Sequence, residues 1–163
     1  YRKKIKIFKP EILIHLAWEG LPNYNSDYSN KNLINSKNLI QEINKIGSLK
    51  KILISGSCFE ADNFGKKINE KSLLKKKNFF SISKNSLKDW IFQYHKETKV
   101  DVAWIRIFYV YGDCQRKSSL IPSLIKAKID KNVIKINTPN DVCDFIYIDD
   151  VISFFKLLIK KKI

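Results

Sequence analysis

Residues 78–84, NFFSISK, place an aromatic ring and an amine at helical spacing. Phe80 and Lys84 are four residues apart, so on a helix they share one face. In a proton-transfer pair of this spacing, an ammonium one turn away lowers the pKa of a hydroxyl. Phe80 offers a benzyl group without that hydroxyl. Such a pair is usually one core residue and one solvated residue, so its meaning depends on the surrounding segments.

Apolar runs around that pair predict the strands of a parallel sheet. Three short, nearly continuous runs are typical of strands buried on both faces. Shorter apolar runs predict two further strands near the C-terminus. A weakly alternating run near the N-terminus fits either a strand or a connection. In that order, the segments are residues 12–17, 51–55 and 101–108, then 133–136 and 144–148, and finally 4–8.

Helical periodicity separates these runs. The polar residues 18–30 and 62–78 predict loops, and 106–112 lead into a turn. Asp149 is a suitable N-cap for the last helix. The predicted helices cover residues 32–46, 80–96, 118–130 and the segment after 149. Strand–helix alternation of this kind predicts an α/β fold with a parallel sheet and right-handed crossovers.

Length, hydrophobic content and charge limit the classes of protein to which the chain can belong. The chain has 163 residues, which is enough for one domain, and its 44% hydrophobic content excludes a disordered chain. A formal net charge of +15 raises the hypothesis of a basic nucleic-acid-binding α/β domain. The positive residues are mostly lysines spread over predicted helices and ends, without an arginine-rich stripe. That distribution favours a lysine-rich background over a nucleic-acid interface.

Cysteines and histidines provide no metal-binding pattern. Cys58, Cys114 and Cys143 are odd in number and far apart, and His15 and His95 are isolated. We therefore predict neither a metal site nor a disulfide framework, and free thiols in a reducing cytoplasm. No apolar run reaches membrane-spanning length, so we predict a cytoplasmic protein without a membrane partner.

Five short stretches occur in one order across nearly the whole chain. They are ILIHLA at 12–17, SGS at 55–57, the Phe80–Lys84 pair, RIFYVYG at 106–112 and DFIYIDDV at 144–151. Together they resemble the NAD-dependent epimerase/dehydratase family, the extended short-chain dehydrogenase/reductases. Within that family the chain looks most like nucleotide-sugar 4-ketoreductases and epimerases.

The resemblance implies a partial Rossmann-like, doubly wound parallel sheet, with strands from the fourth onward. Residues 1–163 would form a single incomplete NAD(P)-binding domain, with about 113–150 contributing to the substrate side. It also implies NAD or NADP as cofactor and a nucleotide-sugar substrate. Hydride would move at a sugar carbon while a proton moves at the attached oxygen.

The resemblance also assigns roles to individual residues. Ser57, Phe80 and Lys84 stand at the three catalytic positions, and Phe80 occupies the position of the family tyrosine. Cofactor contacts are implied for Leu16, Ala17, Lys84, Tyr109 and Tyr111, and substrate contacts for Asn32, Ser57 and Asp144. Asn32 stands where the family often has a helix asparagine that supports the catalytic centre.

Four features depart from the family pattern. The five glycines of the chain form no GxGxxG or GxxGxxG loop for the cofactor phosphates. Phe80 cannot exchange a proton, which costs roughly 10²–10⁴-fold where acid–base catalysis is lost. Cys143 stands where an arginine often binds substrate phosphate, and Ala61-Asp62 stands where Tyr-Gly is usual.

We therefore interpret the chain as a C-terminal piece of a longer reading frame. Without preceding strands, the predicted strand at 12–17 becomes an open edge, which invites aggregation or pairing with another chain. We expect the chain alone to be poorly soluble, or to need a complementing N-terminal segment or a homodimer.

Three functional hypotheses follow. The first is an NAD(P)-dependent nucleotide-sugar enzyme, impaired as this chain alone. The second is a catalytically degenerate or truncated family member with a structural or binding role. The third is the nucleic-acid-binding domain. A tyrosine elsewhere, at Tyr28, Tyr94, Tyr109 or Tyr111, could replace the missing acid, but its position in the sequence gives no support.

Overall fold

The computed structural model describes residues 2–61, 68–70, 72 and 78–161. The chain divides into two compact units. The first comprises Tyr1–Ile107 with Leu158–Ile163, and the second comprises Phe108–Leu157. The stretch 113–150, predicted for the substrate side, lies inside the second unit. Most of the predicted loop at 62–78 falls outside the described residues.

A parallel three-stranded sheet forms the centre of the first unit. Its strands are β1 (Ile12–His15), β2 (Lys51–Ser57) and β3 (Asp101–Ile107), in the order β1-β2-β3. Each was predicted from an apolar run, and each pairs in parallel with its neighbour. In the part of the chain that the structure describes, β1 pairs only with β2, so its other edge is open. The expected poor solubility stays a prediction.

Two long helices cover one face of this sheet. They are α2 (Ser26–Asn44) and α3 (Phe79–Thr98), and they contact each other. The core combines side chains of both helices with one face of β2 and neighbouring residues: Ile40, Ile43, Leu49, Ile52, Ile54, Ile91, Val100 and Val102. Leu53 points to the opposite face of β2 and is also wholly buried. Both faces of the central strand are thus covered, as in a doubly wound sheet.

The second unit contains a smaller parallel sheet. Its strands are β4 (Tyr109–Tyr111) and β5 (Phe145–Tyr147), and its helix is α4 (Leu120–Ile129). Helix α5 (Ile148–Lys160) begins in this unit. Aromatic rings face each other across the two strands, with ring centroids 5.7 Å apart for Tyr109 and Phe145.

Three local predictions were wrong. Residues 4–8 lie in a helix, α1 (Arg2–Phe8), because a helix places Ile5 against the core while Ile7 and Phe8 stay exposed. Residues 133–136 form no strand, and Val133 is fully exposed. Residues 106–112 lead into a turn at Asp113 and Cys114, as predicted, and they also contain strand β4, which pairs with β5. Asp149 lies inside the first turn of α5, where its charge still suits the helix dipole.

Helix α2 also begins earlier than predicted. Asn25 is its N-cap and accepts a hydrogen bond from the backbone N–H of Tyr28. The predicted loop at 18–30 therefore ends at the cap, and six helical residues, from Ser26 onward, precede Asn32.

Lys51 ties the start of β2 to the end of α5 within the first unit. Its ammonium donates to the carbonyls of Leu158 at 2.9 Å and Ile159 at 3.3 Å, and to that of Lys161. The last carbonyls of a helix have no partner within the helix and carry its negative dipole end. Lys51 thus supplies a buried cap from a distant part of the chain.

We expect Lys51→Met to lower the free energy of unfolding by about 2 kcal/mol, because it removes hydrogen bonds from a charged donor. Urea unfolding followed by circular dichroism measures the loss. Lys50→Met is the matched control, since Lys50 pairs with Glu11 at the surface, and such pairs contribute at most about 1 kcal/mol. Equal effects of the two substitutions would contradict a capping role for Lys51.

Candidate active site

The carboxyl ends of β1 and β2 meet the first turns of α3. Phe80 and Lys84 both face inward from α3 and are 5% and 4% exposed. Asn78 and Ser81 start this helix with a capping box, in which each side chain accepts the other residue's backbone N–H. The caps fix where the helix begins, and therefore which face carries the aromatic ring and the amine.

Lys84 holds its ammonium at the end of β2. The amine donates to the carbonyl of Ser55 at 2.9 Å and lies 4.1 Å from the centroid of the Trp18 ring. Burial lowers the pKa of Lys84 to about 8, while the charge of Glu60 opposes the fall. The hydrogen bond and the aromatic face favour the charged form, so the amine is mostly protonated at neutral pH.

This lowered pKa makes stability depend on pH. Between about pH 8 and pH 10.5, the unfolded chain holds a proton on Lys84 that the folded chain has released. Lys84 therefore contributes a rise in stability with pH across that window, of up to about 3 kcal/mol. In Lys84→Met this rise is absent. Urea unfolding at pH 7 and pH 10 measures both proteins, with the exposed Lys96→Met as control. If the free energies of unfolding of wild type and Lys84→Met differed by the same amount at both pH values, the lowered pKa of Lys84 would be contradicted.

Ser57 ends β2 and caps the short 3₁₀ turn Cys58–Glu60. Its hydroxyl oxygen accepts the N–H of Phe59 at 3.2 Å, and its own N–H donates to Glu60 Oε1 at 2.5 Å. Because the oxygen is used as an acceptor, the hydroxyl proton remains available to a ligand. The reciprocal bonds fix the orientation of Ser57 at the strand end.

Glu60 is wholly buried and joins three partners. Besides Ser57, it accepts the indole N–H of Trp104 at 2.8 Å and lies 3.6 Å from the guanidinium of Arg106. Burial raises the pKa of Glu60, against the lowering effect of these hydrogen bonds and charges. Trp104 passes so close to Gly56 that a Cβ there would lie 2.3 Å from the indole nitrogen. Only glycine fits at that position.

We expect Glu60→Gln to destabilise the protein by about 2 kcal/mol. The carboxylate accepts two N–H groups, whereas an amide has one acceptor oxygen, so one N–H would face another N–H in either orientation. Urea unfolding checks this loss. Glu42→Gln is the control, because Glu42 is half-exposed and pairs at the surface. If Glu60→Gln were as stable as Glu42→Gln, the hydrogen bonds that the buried carboxylate accepts would make no contribution to stability.

An aromatic cluster covers Phe80. The Phe80 ring lies 5.5 Å from Trp18, edge to face, and 5.2 Å from Tyr24, measured between centroids. Tyr24 also lies 6.2 Å from Phe59. Trp18 therefore contacts both Phe80 and the amine of Lys84. The position predicted for a catalytic hydroxyl is filled by packed rings.

The loop after β1 carries Leu16, Ala17 and this aromatic cover. Asn32 of α2 holds the loop, since its side-chain oxygen accepts the N–H of Glu19 and its amide donates to the carbonyls of Glu19 and Tyr28. Both amide protons of Asn32 are thus used within the protein. Cofactor contacts of Leu16 and Ala17, and substrate contact of Asn32, stay predictions.

Three other predicted residues belong to the second unit. Tyr109 and Tyr111 lie on β4, and the N–H of Tyr109 donates to the carbonyl of Asp144 at 3.1 Å, just before β5. The structure therefore brings Tyr109 and Asp144 together. Their contacts with cofactor and substrate stay predictions.

The residues that the structure describes contain neither a metal-binding cluster nor a membrane-spanning helix. None of the groupings of three or more His, Cys, Asp or Glu there could hold a metal ion. None of the described helices is long and apolar enough to cross a membrane. Cys58, Cys114 and Cys143 form no disulfide bond in the part of the chain that the structure describes.

Comparison with known families decides the classification. The model of the NAD dependent epimerase/dehydratase family matches residues 1–162. The chain belongs to this family. The resemblance found from the five sequence stretches is confirmed.

Two curated relatives of this NAD-dependent epimerase/dehydratase family member match over most of its length. One is dTDP-6-deoxy-L-talose 4-dehydrogenase (NAD(+)) of Aggregatibacter actinomycetemcomitans, 24% identical, with 91% of this chain and 56% of the relative covered. The other is dTDP-D-glucose 4,6-dehydratase of Dictyostelium discoideum, 27% identical, with 94% and 39% covered. The chain spans about half the length of these relatives.

Solved structures share the fold. UDP-glucose 4-epimerase of Thermotoga maritima, crystallised with UDP-glucose, superposes with a TM-score of 0.81 at 18% identity, covering 99% of this chain and 57% of that one. A tyrosine-to-phenylalanine mutant of UDP-glucuronic acid 4-epimerase from Bacillus cereus gives 0.70 at 23%, covering 97% and 53%. That mutant was crystallised with UDP-4-deoxy-4-fluoro-glucuronic acid and NAD. The predicted Rossmann-like α/β fold is confirmed.

Sequence reasoning missed the residues that support the site. Glu60, Trp104 and Arg106 form the buried network under Ser57, and Trp18 and Tyr24 cover Phe80. One signal was present, because Ser57 and Glu60 have the spacing of a capping box. The aromatic contacts had no comparable signal, since they join residues far apart in the chain.

Proposed function

We propose that the protein transfers hydride at a carbon of a nucleotide-sugar, as an NAD-dependent epimerase, dehydratase or 4-ketoreductase. The observation that carries this proposal is the buried ammonium of Lys84 at the carboxyl end of β2. Ligands of doubly wound sheets bind outside the carboxyl ends of the strands. A fixed positive charge there stabilises negative charge that develops on a reacting oxygen.

Ser57 would hold that oxygen. Its hydroxyl accepts the N–H of Phe59 and keeps its proton for a ligand, and Glu60 fixes the backbone on which it stands. A donor oriented in advance costs no rearrangement when the substrate binds. Ser57 and Lys84 thus retain two of the three roles that the reaction needs.

The residues present fit one end of a nicotinamide dinucleotide. Lys84 would donate to the nicotinamide ribose, and the Leu16 and Ala17 backbone would line it. When bound, the cofactor supplies the hydride acceptor. Trp18 covers the Lys84 amine, so ribose binding requires this ring to move aside. The chain lacks a glycine-rich loop for the phosphates, and we infer that a segment outside these 163 residues provides it.

A second candidate function is binding without turnover. Phe80 has no proton to exchange and is packed under Trp18 and Tyr24. Ser57 and Lys84 would then bind a nucleotide-sugar and cofactor in a degenerate family member. The solved tyrosine-to-phenylalanine mutant, crystallised with NAD and a substrate analogue, supports the feasibility of such binding.

Titration of the full-length protein with NADH and NADPH, followed by cofactor fluorescence, tests the proposal. We expect saturable binding of NADH. Lys84→Met should weaken it roughly 10–100-fold, because a charge-assisted hydrogen bond is lost. Lys96→Met, at an exposed site on the same helix, should bind as the wild type does.

Activity with UDP-glucose, UDP-glucuronic acid and dTDP-glucose then separates the two candidates. Turnover of any of the three supports the enzyme, and binding alone supports the degenerate member. Full-length protein that binds neither dinucleotide would overturn both.

A further inference from the structure

Tyr24 is the phenol that touches Phe80. Its ring lies 5.2 Å from the Phe80 ring and contacts Phe59, yet it is 38% exposed while Phe80 is 5% exposed. A ligand that approaches Phe80 and Lys84 from solvent therefore meets Tyr24. The phenolic hydroxyl that Phe80 lacks is present on Tyr24, whose ring contacts Phe80.

We propose that Tyr24 is the proton-transfer residue of this site, in place of Phe80. This inference rests on the proposed function. In the oxidative direction the C–H bond of the sugar breaks and its hydride passes to the nicotinamide ring. The O–H bond of the hydroxyl on the same carbon breaks, its proton passes to the phenolate oxygen of Tyr24, which becomes a neutral phenol, and a C=O bond forms. Reduction reverses each transfer, and the dinucleotide is the sole co-reactant.

The loop that carries Tyr24 is held at both ends. At its start Asn32 binds both backbone polar groups of Glu19. A turn follows, in which Asn23 donates to the Gly20 carbonyl at 2.7 Å, and Gly20 has a positive φ of 87°. Asn25 then caps α2. A residue fixed on both sides can keep a hydroxyl in one place, as general acid–base catalysis requires.

The other described tyrosines of the first unit, Tyr28 and Tyr94, are placed less suitably. Tyr28 packs its ring against Gly20, close enough that a Cβ there would lie 2.6 Å from it. Tyr94 stacks on Trp90, with centroids 5.0 Å apart, near the far end of α3. Tyr109 and Tyr111 lie in the second unit. Among the tyrosines of the first unit that the structure describes, Tyr24 is the one in ring contact with Phe80.

The test uses full-length protein with NAD and the three sugar nucleotides named above. Tyr24→Phe removes one oxygen and keeps the ring, so packing is preserved while turnover falls roughly 10²–10⁴-fold. Tyr28→Phe, the matched control, leaves turnover unchanged. Adding Phe80→Tyr to Tyr24→Phe restores turnover, because it returns a hydroxyl beside Lys84.

A second readout does not depend on turnover. Protein labelled with ¹³Cζ-tyrosine shows the Tyr24 resonance as the peak missing from Tyr24→Phe. We expect this peak to shift when UDP-glucose and NADH are added together, and the Tyr28 peak to stay in place. A stationary Tyr24 peak in protein that binds the ligands would overturn the inference.

The outcomes separate the inference from the proposed function. A wild type that turns over, with Tyr24→Phe equally active, overturns the role of Tyr24 alone. A wild type that binds the ligands without turnover also overturns that role and leaves the binding function. A wild type that binds no dinucleotide overturns both.

Discussion

A buried positive charge at the carboxyl end of β2 is the constraint on which the site depends. Lys84 is nearly inaccessible, and burial of an ammonium is unfavourable unless groups of the protein replace its water. The Ser55 carbonyl and the Trp18 ring do so, and Glu60 adds a negative charge nearby. Glu60 is itself buried and needs Trp104, Arg106 and the Ser57 N–H. One cation thus requires an ordered polar network around it.

Much of the first unit could be predicted, because its signals are local. The three apolar runs gave the strands β1, β2 and β3, and the spacing of Phe80 and Lys84 gave the face of α3. The network under Ser57 could not be predicted from the sequence, since Trp104 and Glu60 are 44 positions apart and meet only through strand pairing. Residues 4–8 alternate as a strand does, yet packing of Ile5 decides for a helix. Tertiary contacts overrode the local pattern there.

At this site two residues supply what one tyrosine could supply alone, namely apolar packing and a phenolic hydroxyl. A residue at position 80 must fill space beneath Trp18, and the benzyl group of Phe80 does this without a buried hydroxyl to satisfy. The phenol of Tyr24 stands at the solvent side of the cluster, where its oxygen can be hydrated when the site is empty. Apolar packing in the helix and a polar group on the loop are thereby assigned to different segments.

The contact of Lys51 with the end of α5 sets an order of events during synthesis. Lys51 is separated from its carbonyl partners by 107, 108 and 110 positions. Contacts between residues so far apart form late, because the intervening chain must first be ordered. On the ribosome, β2 therefore emerges long before its cap and remains incomplete until nearly the whole sequence of 163 residues has left the exit tunnel. Final closure of the first unit therefore waits until the last turn of α5 has emerged.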